Sequence, residues 1–188
     1  MDSLFAFEPV LPAGFRYFPD FLDEKEEGQM LLAVQTIDVR PMIFQGYQAK
    51  RKTKSFGYDY HFDSRRLEKG LPVPESLIPL VDKVSAKLSI ESKEFAELLV
   101  TEYPAGSVIN WHRDAAPFHL IAGISLLSDC TLRFRPHDKL KQGRRAVLSF
   151  PVQRRSLYVL DGESRTDWQH SISPVGSTRY SITLRTLR

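Results

Sequence analysis

The triplet His112-Arg113-Asp114 places an imidazole and a carboxylate two residues apart. On an extended segment, residues i and i+2 project from the same face, so both side chains would point into one site. Two histidines and one carboxylate with open positions are the ligand set of non-haem iron(II) oxygenases. A lone His-x-Asp pair is common by chance. Of the four other histidines, only His170 lies late enough to come from a distant strand of the same sheet.

A second pair of residues suited to chemistry lies near the C-terminus. Arg179 and Arg185 are six residues apart, with Ser181 and Thr183 between them. On one strand all four share a face, and the two arginine backbones are roughly 20 Å apart. A guanidinium group matches both oxygens of a carboxylate, so this face suits a short dicarboxylate or its surroundings. Surface ion pairs on an edge strand are the alternative.

The first third of the chain is predicted to be helical and irregular. Asp20 is a candidate helix cap, because Asp23 and Glu24 would then occupy the positive first turn of a helix. A second helix is predicted from near Pro79 to about Leu88, with Val81, Val84 and Leu88 facing the core.

From about Glu97 the sequence changes to short β-branched and aromatic runs separated by turn residues. The predicted strands are Leu98–Tyr103, Val108–His112, Leu120–Leu126, Thr131–Arg135, Ala146–Phe150, Ser156–Leu160 and Tyr180–Leu187. Seven short strands in so few residues favour a β-sandwich or barrel, with a small helical layer covering one sheet.

The composition is that of an ordinary globular chain of 188 residues, with 42% hydrophobic and 26% charged residues. No apolar run approaches the roughly 20 residues of a membrane helix. Cys130 is the only cysteine, so no internal disulfide forms, which favours a cytoplasmic location. The net charge of +3 mildly favours polyanionic partners. Basic clusters occur at 50–54, 144–145 and 154–155, and a solvated face is the simplest interpretation of each.

The order Tyr103, His112-x-Asp114, His170, Arg179-x5-Arg185 resembles that of the AlkB family of iron(II)- and 2-oxoglutarate-dependent dioxygenases. The stretches 103–106 and 155–165 support the resemblance, which extends over about 44–188. It implies a mainly β, α+β fold: a double-stranded β-helix, or jelly roll, with N-terminal helices packed on one sheet. We expect one domain over 1–188, with a helical layer and lid in about 1–96 and the jelly-roll core in about 97–188.

The resemblance also implies the roles of the site residues. His112, Asp114 and His170 would bind Fe(II), and 2-oxoglutarate and O2 would take the open positions. Arg179 would pair with the distal carboxylate of 2-oxoglutarate, and the rest of that pocket would be formed by Tyr103, Ser181, Thr183 and Arg185. The reaction would yield succinate, carbon dioxide and a hydroxylated C–H bond, and a hydroxylated N-methyl group is lost as formaldehyde.

The substrate implied by the resemblance is an N-alkylated base in nucleic acid, with a single strand preferred. The segment 42–60 resembles the family's nucleotide-recognition lid, because basic residues alternate there with Tyr47, Phe56, Tyr58 and Tyr60. An amphipathic hairpin with inward aromatics is the alternative. Predicted substrate contacts are Arg51, Tyr58 and Arg113.

Two departures from the family pattern bear on the substrate. Thr101 stands where the family often has asparagine, and 115–118 carry none of the acidic base contacts of the type enzyme. Two alternatives therefore stay open: the same chemistry on a lipid, protein or small metabolite, and a non-catalytic nucleic-acid-binding jelly roll. We expect a cytoplasmic monomer with no membrane association and no obligate protein partner.

Overall fold

The computed structural model describes residues 10–44, 46–61 and 64–188 of the chain. Within them lie three α-helices, numbered in chain order: α1 (Glu24–Gln35), α2 (Ile78–Leu88) and α3 (Gly162–Thr166). The strands, numbered likewise, are β1 (Arg16–Phe18), β2 (Arg40–Phe44), β3 (Tyr47–His61), β4 (Arg66–Lys69), β5 (Phe95–Tyr103), β6 (Ile109–His112), β7 (Phe118–Leu126), β8 (Cys130–Pro136), β9 (Leu148–Val152), β10 (Leu157–Leu160), β11 (Trp168–Ile172) and β12 (Arg179–Leu187). Short 3-10 turns occur at Glu75–Leu77, Ser92–Glu94, Lys139–Lys141 and Arg144–Ala146.

The strands form two antiparallel sheets. The larger sheet has the order β1-β10-β7-β12-β5-β3-β2, with β4 paired to β3, and the smaller sheet has the order β6-β11-β8-β9. One core cluster lies between the sheets, with Phe118 and Ile121 from the larger and Leu132 and Phe134 from the smaller. This arrangement confirms the mainly β jelly roll that was predicted.

The opposite face of the larger sheet carries a second core cluster. Alternate residues of β12 and β5, such as Ile182, Leu184 and Leu98, point there and pack against α1 and α2. Because side chains alternate along a strand, the intervening residues of both strands face the space between the sheets. The predicted helical layer on one sheet is therefore confirmed. Within the part of the chain that the structure describes, none of the helices has the length and apolarity needed to cross a membrane.

The first helix begins later than predicted. Asp23, not Asp20, caps α1, and Asp20 has a left-handed φ of 48°. The Asp23 side chain accepts from the Glu26 N–H at 2.7 Å, and the Glu26 carboxylate accepts from the Asp23 N–H at 2.8 Å. This reciprocal capping box requires a long acidic side chain three residues after the cap, which Asp20 lacks. The second predicted helix is confirmed as α2, with Val81 and Val84 buried.

The prediction that the first third is only helical and irregular is wrong, because β1, β2 and β3 lie there beside α1. The longest strand, β3, pairs with β2 on one side and β5 on the other. Its lysine- and arginine-rich sequence is atypical of strands, and it is the pairing with β5 that holds it extended. The segment predicted as a lid is thus a β2–β3 hairpin continuous with the larger sheet. Residues 1–9, 45 and 62–63, which include parts of the predicted layer and lid, lie outside the described residues.

Candidate active site

The candidate metal centre lies where β6 and β11 run side by side in the smaller sheet. His112 ends β6 and is the register partner of His170 in the middle of β11. Asp114 follows two residues later. One possible ligand atom from each of the three residues lies within 4.8 Å of the others, and Asp114 Oδ2 is 3.5 Å from His170 Nε2. The structure therefore brings together the three side chains that the sequence singled out.

Each of the two histidines can offer one ring nitrogen to this centre. His112 Nδ1 lies 2.8 Å from the Asn110 carbonyl oxygen. A carbonyl only accepts hydrogen bonds, so Nδ1 carries the proton and the lone pair of Nε2 is left for a metal. Burial and the neighbouring His112 ring lower the pKa of His170 to about 3, against the opposing effect of Asp114. The His170 ring therefore suits metal binding at neutral pH, because a metal ligand must be unprotonated.

Asp114 is held as a carboxylate by a largely enclosed arginine, Arg185. Burial alone would raise its pKa, but Arg185, the two histidines and Arg165 together hold the pKa well below its usual range. Arg185 Nη2 donates to Asp114 Oδ1 at 3.0 Å, and Arg185 Nη1 donates to Glu97 at 2.6 Å. With Oδ1 engaged by Arg185, Oδ2 is the oxygen that faces His170. This arrangement favours a single-oxygen metal ligand.

A second arginine, Arg179, begins β12. Arg179 is fully buried, and its Nε donates to the Ser125 hydroxyl at 3.0 Å. Its two terminal nitrogens make no hydrogen bond within the described residues. The guanidinium lies 4.9 Å from the centroid of the Tyr103 ring. An unpaired charge in such surroundings is costly, so the site fits a bound carboxylate such as the distal one of 2-oxoglutarate.

A glycine makes room for the aromatic wall of this pocket. Gly123 on β7 is the register partner of Tyr158 on β10. A Cβ atom added at Gly123 would lie 2.2 Å from the Tyr158 ring. Tyr158 is buried, its burial raises the pKa of the phenol above its usual range, and Arg179 partly offsets the rise. Tyr158 is therefore a neutral hydroxyl beside the Arg179 guanidinium.

A cavity of about 1200 Å³ connects these parts. The predicted site residues that line it, besides the three candidate ligands, are Tyr103, Thr183, Arg185, Arg51 and Arg113. Arg179 and Ser181 share the strand face of Thr183 and Arg185 but lie off the cavity surface. Thr101, at the position where the family often has asparagine, also lines the cavity.

One predicted substrate residue is placed elsewhere. Tyr58 does not line the cavity, whereas its neighbours Asp59 and Tyr60 do. The alternation of side chains along β3 is interrupted at Gly57, which has a left-handed φ of 80°, so Phe56 packs into the core beneath the helices while Asp59 and Tyr60 both reach the cavity. Arg185 also differs from expectation, since its guanidinium is engaged by Asp114 and Glu97 and is not open for a co-substrate.

Three functional residues escaped the sequence analysis. Glu97 and Ser55 extend the Arg185 pair, since the Ser55 hydroxyl donates to Glu97 at 3.0 Å. Arg165 Nη2 donates to the carbonyls of Asp114, Ala115 and Phe118 and fixes the backbone after Asp114. A signal existed for Glu97, which is six residues before Tyr103 and so shares its strand face. For Arg165 only the tertiary contact reveals the role.

The comparisons with known proteins agree with this geometry. Residues 14–185 match the model of a family described as the 2OG-Fe(II) oxygenase superfamily. The chain belongs to this superfamily. Together with the AlkB-like relatives below, the match shows an AlkB-like 2-oxoglutarate–Fe(II) dioxygenase that uses Fe(II), 2-oxoglutarate and O2. The alternative of a non-catalytic nucleic-acid-binding jelly roll is thereby set aside.

Among curated relatives, the chain is 31% identical over 171 residues to the mouse tRNA (carboxymethyluridine(34)-5-O)-methyltransferase ALKBH8, covering 88% of this chain and 25% of that protein. It is 29% identical over 185 residues to the Arabidopsis thaliana alkylated DNA repair protein ALKBH8 homolog, covering 85% and 50%. It is 27% identical over 172 residues to the zebrafish probable RNA/DNA demethylase ALKBH6, covering 87% and 71%. The oxygenase chain thus spans a quarter of the mouse protein's length and half of the Arabidopsis protein's.

Among solved structures, OsALKBH1 superposes with a TM-score of 0.72 at 14% identity, covering 94% of this chain and 98% of that one. A Pseudomonas putida prolyl-4-hydroxylase gives a TM-score of 0.65 at 16% identity, covering 93% of both chains. At these identities the likeness concerns the fold alone. It agrees with the jelly roll described above.

Proposed function

We propose that this oxygenase removes N-alkyl groups from nucleic-acid bases by oxidation, with a single strand preferred. The observation that carries the proposal is the part of the cavity wall that the β2–β3 hairpin forms. The β2–β3 hairpin contributes Lys50, Arg51 and Tyr60 to that wall. Basic side chains suit phosphates and an aromatic ring suits a base, and a flipped or single-stranded base requires both. Relatives named for tRNA modification, DNA repair and RNA/DNA demethylation support a nucleic-acid substrate.

In this proposal the side chains have separate tasks. His112, Asp114 and His170 hold Fe(II) from one side, and Arg179 binds the distal carboxylate of 2-oxoglutarate, with Tyr103, Ser181 and Thr183 beside it. Arg185 keeps Asp114 ionised and, by donating to Oδ1, leaves Oδ2 directed toward the metal position. When bound, the metal and its co-substrates supply the oxidation of a C–H bond. Arg51 and Arg113 lie on the cavity surface and are proposed to position the substrate.

The apolar lining of the cavity has a role of its own. Leu132, Ile172 and Leu160 line it near the candidate metal centre and exclude water from the reacting carbon. An N-methyl group oxidised there becomes an N-hydroxymethyl group. The hydroxyl group then loses its proton, the carbon–nitrogen bond breaks with its electron pair returning to the ring nitrogen, and formaldehyde leaves. Per methyl group, one 2-oxoglutarate and one O2 are consumed, and one succinate and one CO2 are released.

The deciding experiment measures formaldehyde and succinate together. Protein loaded with Fe(II) is incubated with 2-oxoglutarate, ascorbate and single-stranded oligonucleotides carrying 1-methyladenine or 3-methylcytosine. We expect the base to lose the mass of one CH2 unit, and formaldehyde to appear in an amount equal to the methyl groups lost. The His112→Ala variant should give no product. Slow succinate formation without oligonucleotide, but inert 1-methyladenine and 3-methylcytosine, would contradict the demethylase and keep the oxygenase.

A second candidate is the same chemistry on a protein, lipid or small metabolite. The residues after Asp114 favour keeping it, because Ala115, Ala116, Pro117 and Phe118 offer no carboxylate to a base. Carboxylates that line the cavity and could contact a base come instead from Asp59 on β3 and Glu68 on β4. A panel of peptides, fatty acids and metabolites, scored by added oxygen mass, separates the two candidates. A cytoplasmic monomer stays our prediction for its location and state.

A further inference from the structure

The outer face of the smaller sheet carries a group of basic and aromatic side chains. Along β8, Leu132 and Phe134 point into the core, so Arg133 and Arg135 point outward. Arg133 Nε donates a hydrogen bond to the Ser171 hydroxyl at 3.1 Å, and Arg135 Nε donates one to the Gln169 side-chain oxygen at 2.7 Å. These two bonds hold the guanidinium groups in place.

Both guanidinium groups also lie against one indole ring. The carbon at the centre of the Arg133 guanidinium is 5.0 Å from the Trp111 ring centroid, and that of Arg135 is 4.7 Å away. Cation–π contacts at such distances fix the orientation of an arginine without neutralising it. The terminal nitrogens of both arginines make no hydrogen bond within the described residues and are not buried. Two oriented, unneutralised guanidinium groups therefore face outward.

The charge on this face has no carboxylate partner. No ion pair involves Arg133, Arg135, Arg144 or Arg145 within residues 10–44, 46–61 and 64–188. The loop 137–147 that follows β8 adds four exposed basic residues, Lys139, Lys141, Arg144 and Arg145, against one acidic residue, Asp138. We call Arg133, Arg135 and these four loop residues the basic outer surface. By contrast, Arg154 pairs with Glu27, and Arg155 pairs with Asp20 and Glu24.

The basic outer surface continues from the rim of the active-site cavity. β6 is the edge strand of the smaller sheet. Every residue from 108 to 113 lines the cavity, although successive side chains of a strand point to opposite faces. The cavity therefore opens across this edge strand. Trp111 lies at that opening and touches both outward arginines, while Arg133 and Arg135 themselves do not line the cavity.

We propose that the basic outer surface binds the phosphodiester backbone of the substrate strand beyond the base in the cavity. The inference rests on the proposed function, which it extends from one base to its flanking nucleotides. A strand leaving the cavity over β6 meets Trp111 first, then Arg133 and Arg135, and then the loop 137–147. Oriented arginines without carboxylate partners suit phosphates, which are strong acceptors at regular spacing. Continuity with the substrate opening favours a nucleic-acid strand over an acidic protein.

The test compares substrates of two lengths that carry the same methylated base. A trinucleotide fills the cavity but is too short for the outer surface, whereas a strand of about 16 nucleotides reaches across it. Binding is measured without oxygen, using protein loaded with Fe(II) and 2-oxoglutarate. The variants are R133Q/R135Q and, in the exposed loop, R144Q/R145Q. The loop arginines make no hydrogen bonds within the described residues, so that variant remains informative if the strand variant folds poorly. A matched control, R16Q/K25Q, removes two exposed charges elsewhere that form no ion pair with the residues the structure describes.

We expect R133Q/R135Q to weaken binding of the long strand about tenfold and to leave the trinucleotide within about twofold. The slope of log affinity against log salt for the long strand should fall by about 1.4, at about 0.7 for each lost phosphate contact. R144Q/R145Q should act in the same direction, and R16Q/K25Q should change neither length. Methylated DNA and RNA strands are assayed side by side, because both present the same backbone.

Two results overturn the proposal in distinguishable ways. If both variants bind the long strand as the wild type does, the basic outer surface is not part of the substrate track and an acidic protein partner becomes the candidate. If wild-type protein neither binds nor demethylates strands of either length while still consuming 2-oxoglutarate, the proposed function fails and this inference fails with it. Equal weakening of both lengths also overturns it, because the arginines would then act through the cavity.

Discussion

Arg179 and Arg185 lie on the same strand and face the same side of it, yet their surroundings differ in charge. At one end, Arg185 lies between two buried carboxylates, Glu97 and the candidate ligand Asp114. At the other end, Arg179 is enclosed by Ser125 and aromatic rings, and its terminal nitrogens have no partner within the described residues. The Arg185 end is complete in the protein alone. The Arg179 end becomes complete only with an anion, which is what a co-substrate site requires.

The difference teaches that similar residues at similar burial have opposite effects on stability. A buried charge with partners leaves uncompensated charges behind when it is removed. A buried charge without a partner opposes folding until a ligand binds. The two ends of β12 therefore predict changes of opposite sign for the same substitution.

The largest effect is expected at the partnered end. Arg185→Met should lower the free energy of unfolding by about 3–5 kcal/mol, because it leaves the Glu97 and Asp114 carboxylates buried without a counter-charge. Urea unfolding of the variant and the wild type measures the difference. The exposed Arg16→Met, with no ion pair among the described residues, serves as the control and should be near neutral. A loss at Arg185 no larger than that of the control would remove the distinction between the two ends.

The next effect concerns ligand binding at the unpartnered end. Metal-loaded wild-type protein without oxygen should gain about 2.7 kcal/mol of stability when 2-oxoglutarate is present at a hundred times its dissociation constant. Arg179→Met should show almost none of this gain at the same concentration. Thermal unfolding with and without 2-oxoglutarate measures it, and succinate serves as a short-dicarboxylate comparison. An undiminished gain in the variant would place the distal carboxylate elsewhere.

Without ligand, the same Arg179→Met variant should be more stable than the wild type by about 2 kcal/mol. Methionine fills much of the arginine volume and removes a buried charge that has no ion-pair partner within the described residues, and the desolvation of such a charge is costly. Its uncoupled conversion of 2-oxoglutarate should be lost even though the fold is strengthened. Urea unfolding gives the stability and succinate release gives the activity. A destabilised variant would mean that Arg179 already has a partner in the free protein.

The smallest effect sharpens the description of the Arg185 end. Glu97→Gln keeps an oxygen that accepts from Arg185 but loses the charge, so we expect a cost of about 1 kcal/mol. Glu97→Ala, which removes the acceptor altogether, should cost more and should also weaken Fe(II) binding through Asp114. Metal titration followed by unfolding distinguishes the two variants. Equal costs would show that hydrogen bonding to Glu97 does not matter for Arg185.

The regularity of the C-terminal half explains why so much of it was predictable. All seven predicted strands are present, with ends shifted by up to two or three residues. β11 was missed because Trp168-Gln-His-Ser-Ile172 is short and mixed, although His170 was recognised as a candidate ligand. In the N-terminal half, β3 was missed because its lysines and arginines do not favour strands, and its neighbours β2 and β5 supply what the local sequence lacks. Local propensity therefore predicts a strand only where it agrees with the tertiary pairing.

Residue type and spacing singled out His112, Asp114 and His170 as candidate ligands and placed Arg179 and Arg185 on one strand face, and the family resemblance supplied their expected roles. Spacing is informative because side chains alternate along strands, so spacing in the sequence becomes direction in space. Only the tertiary structure decided that Arg185 holds Asp114 while the terminal nitrogens of Arg179 lack a hydrogen bond within the described residues, that Tyr58 lies off the cavity, and that Glu97 and Arg165 contact the site. Those outcomes depend on which strands become neighbours, and a side chain's partners, burial and charge are set by residues far away in the sequence.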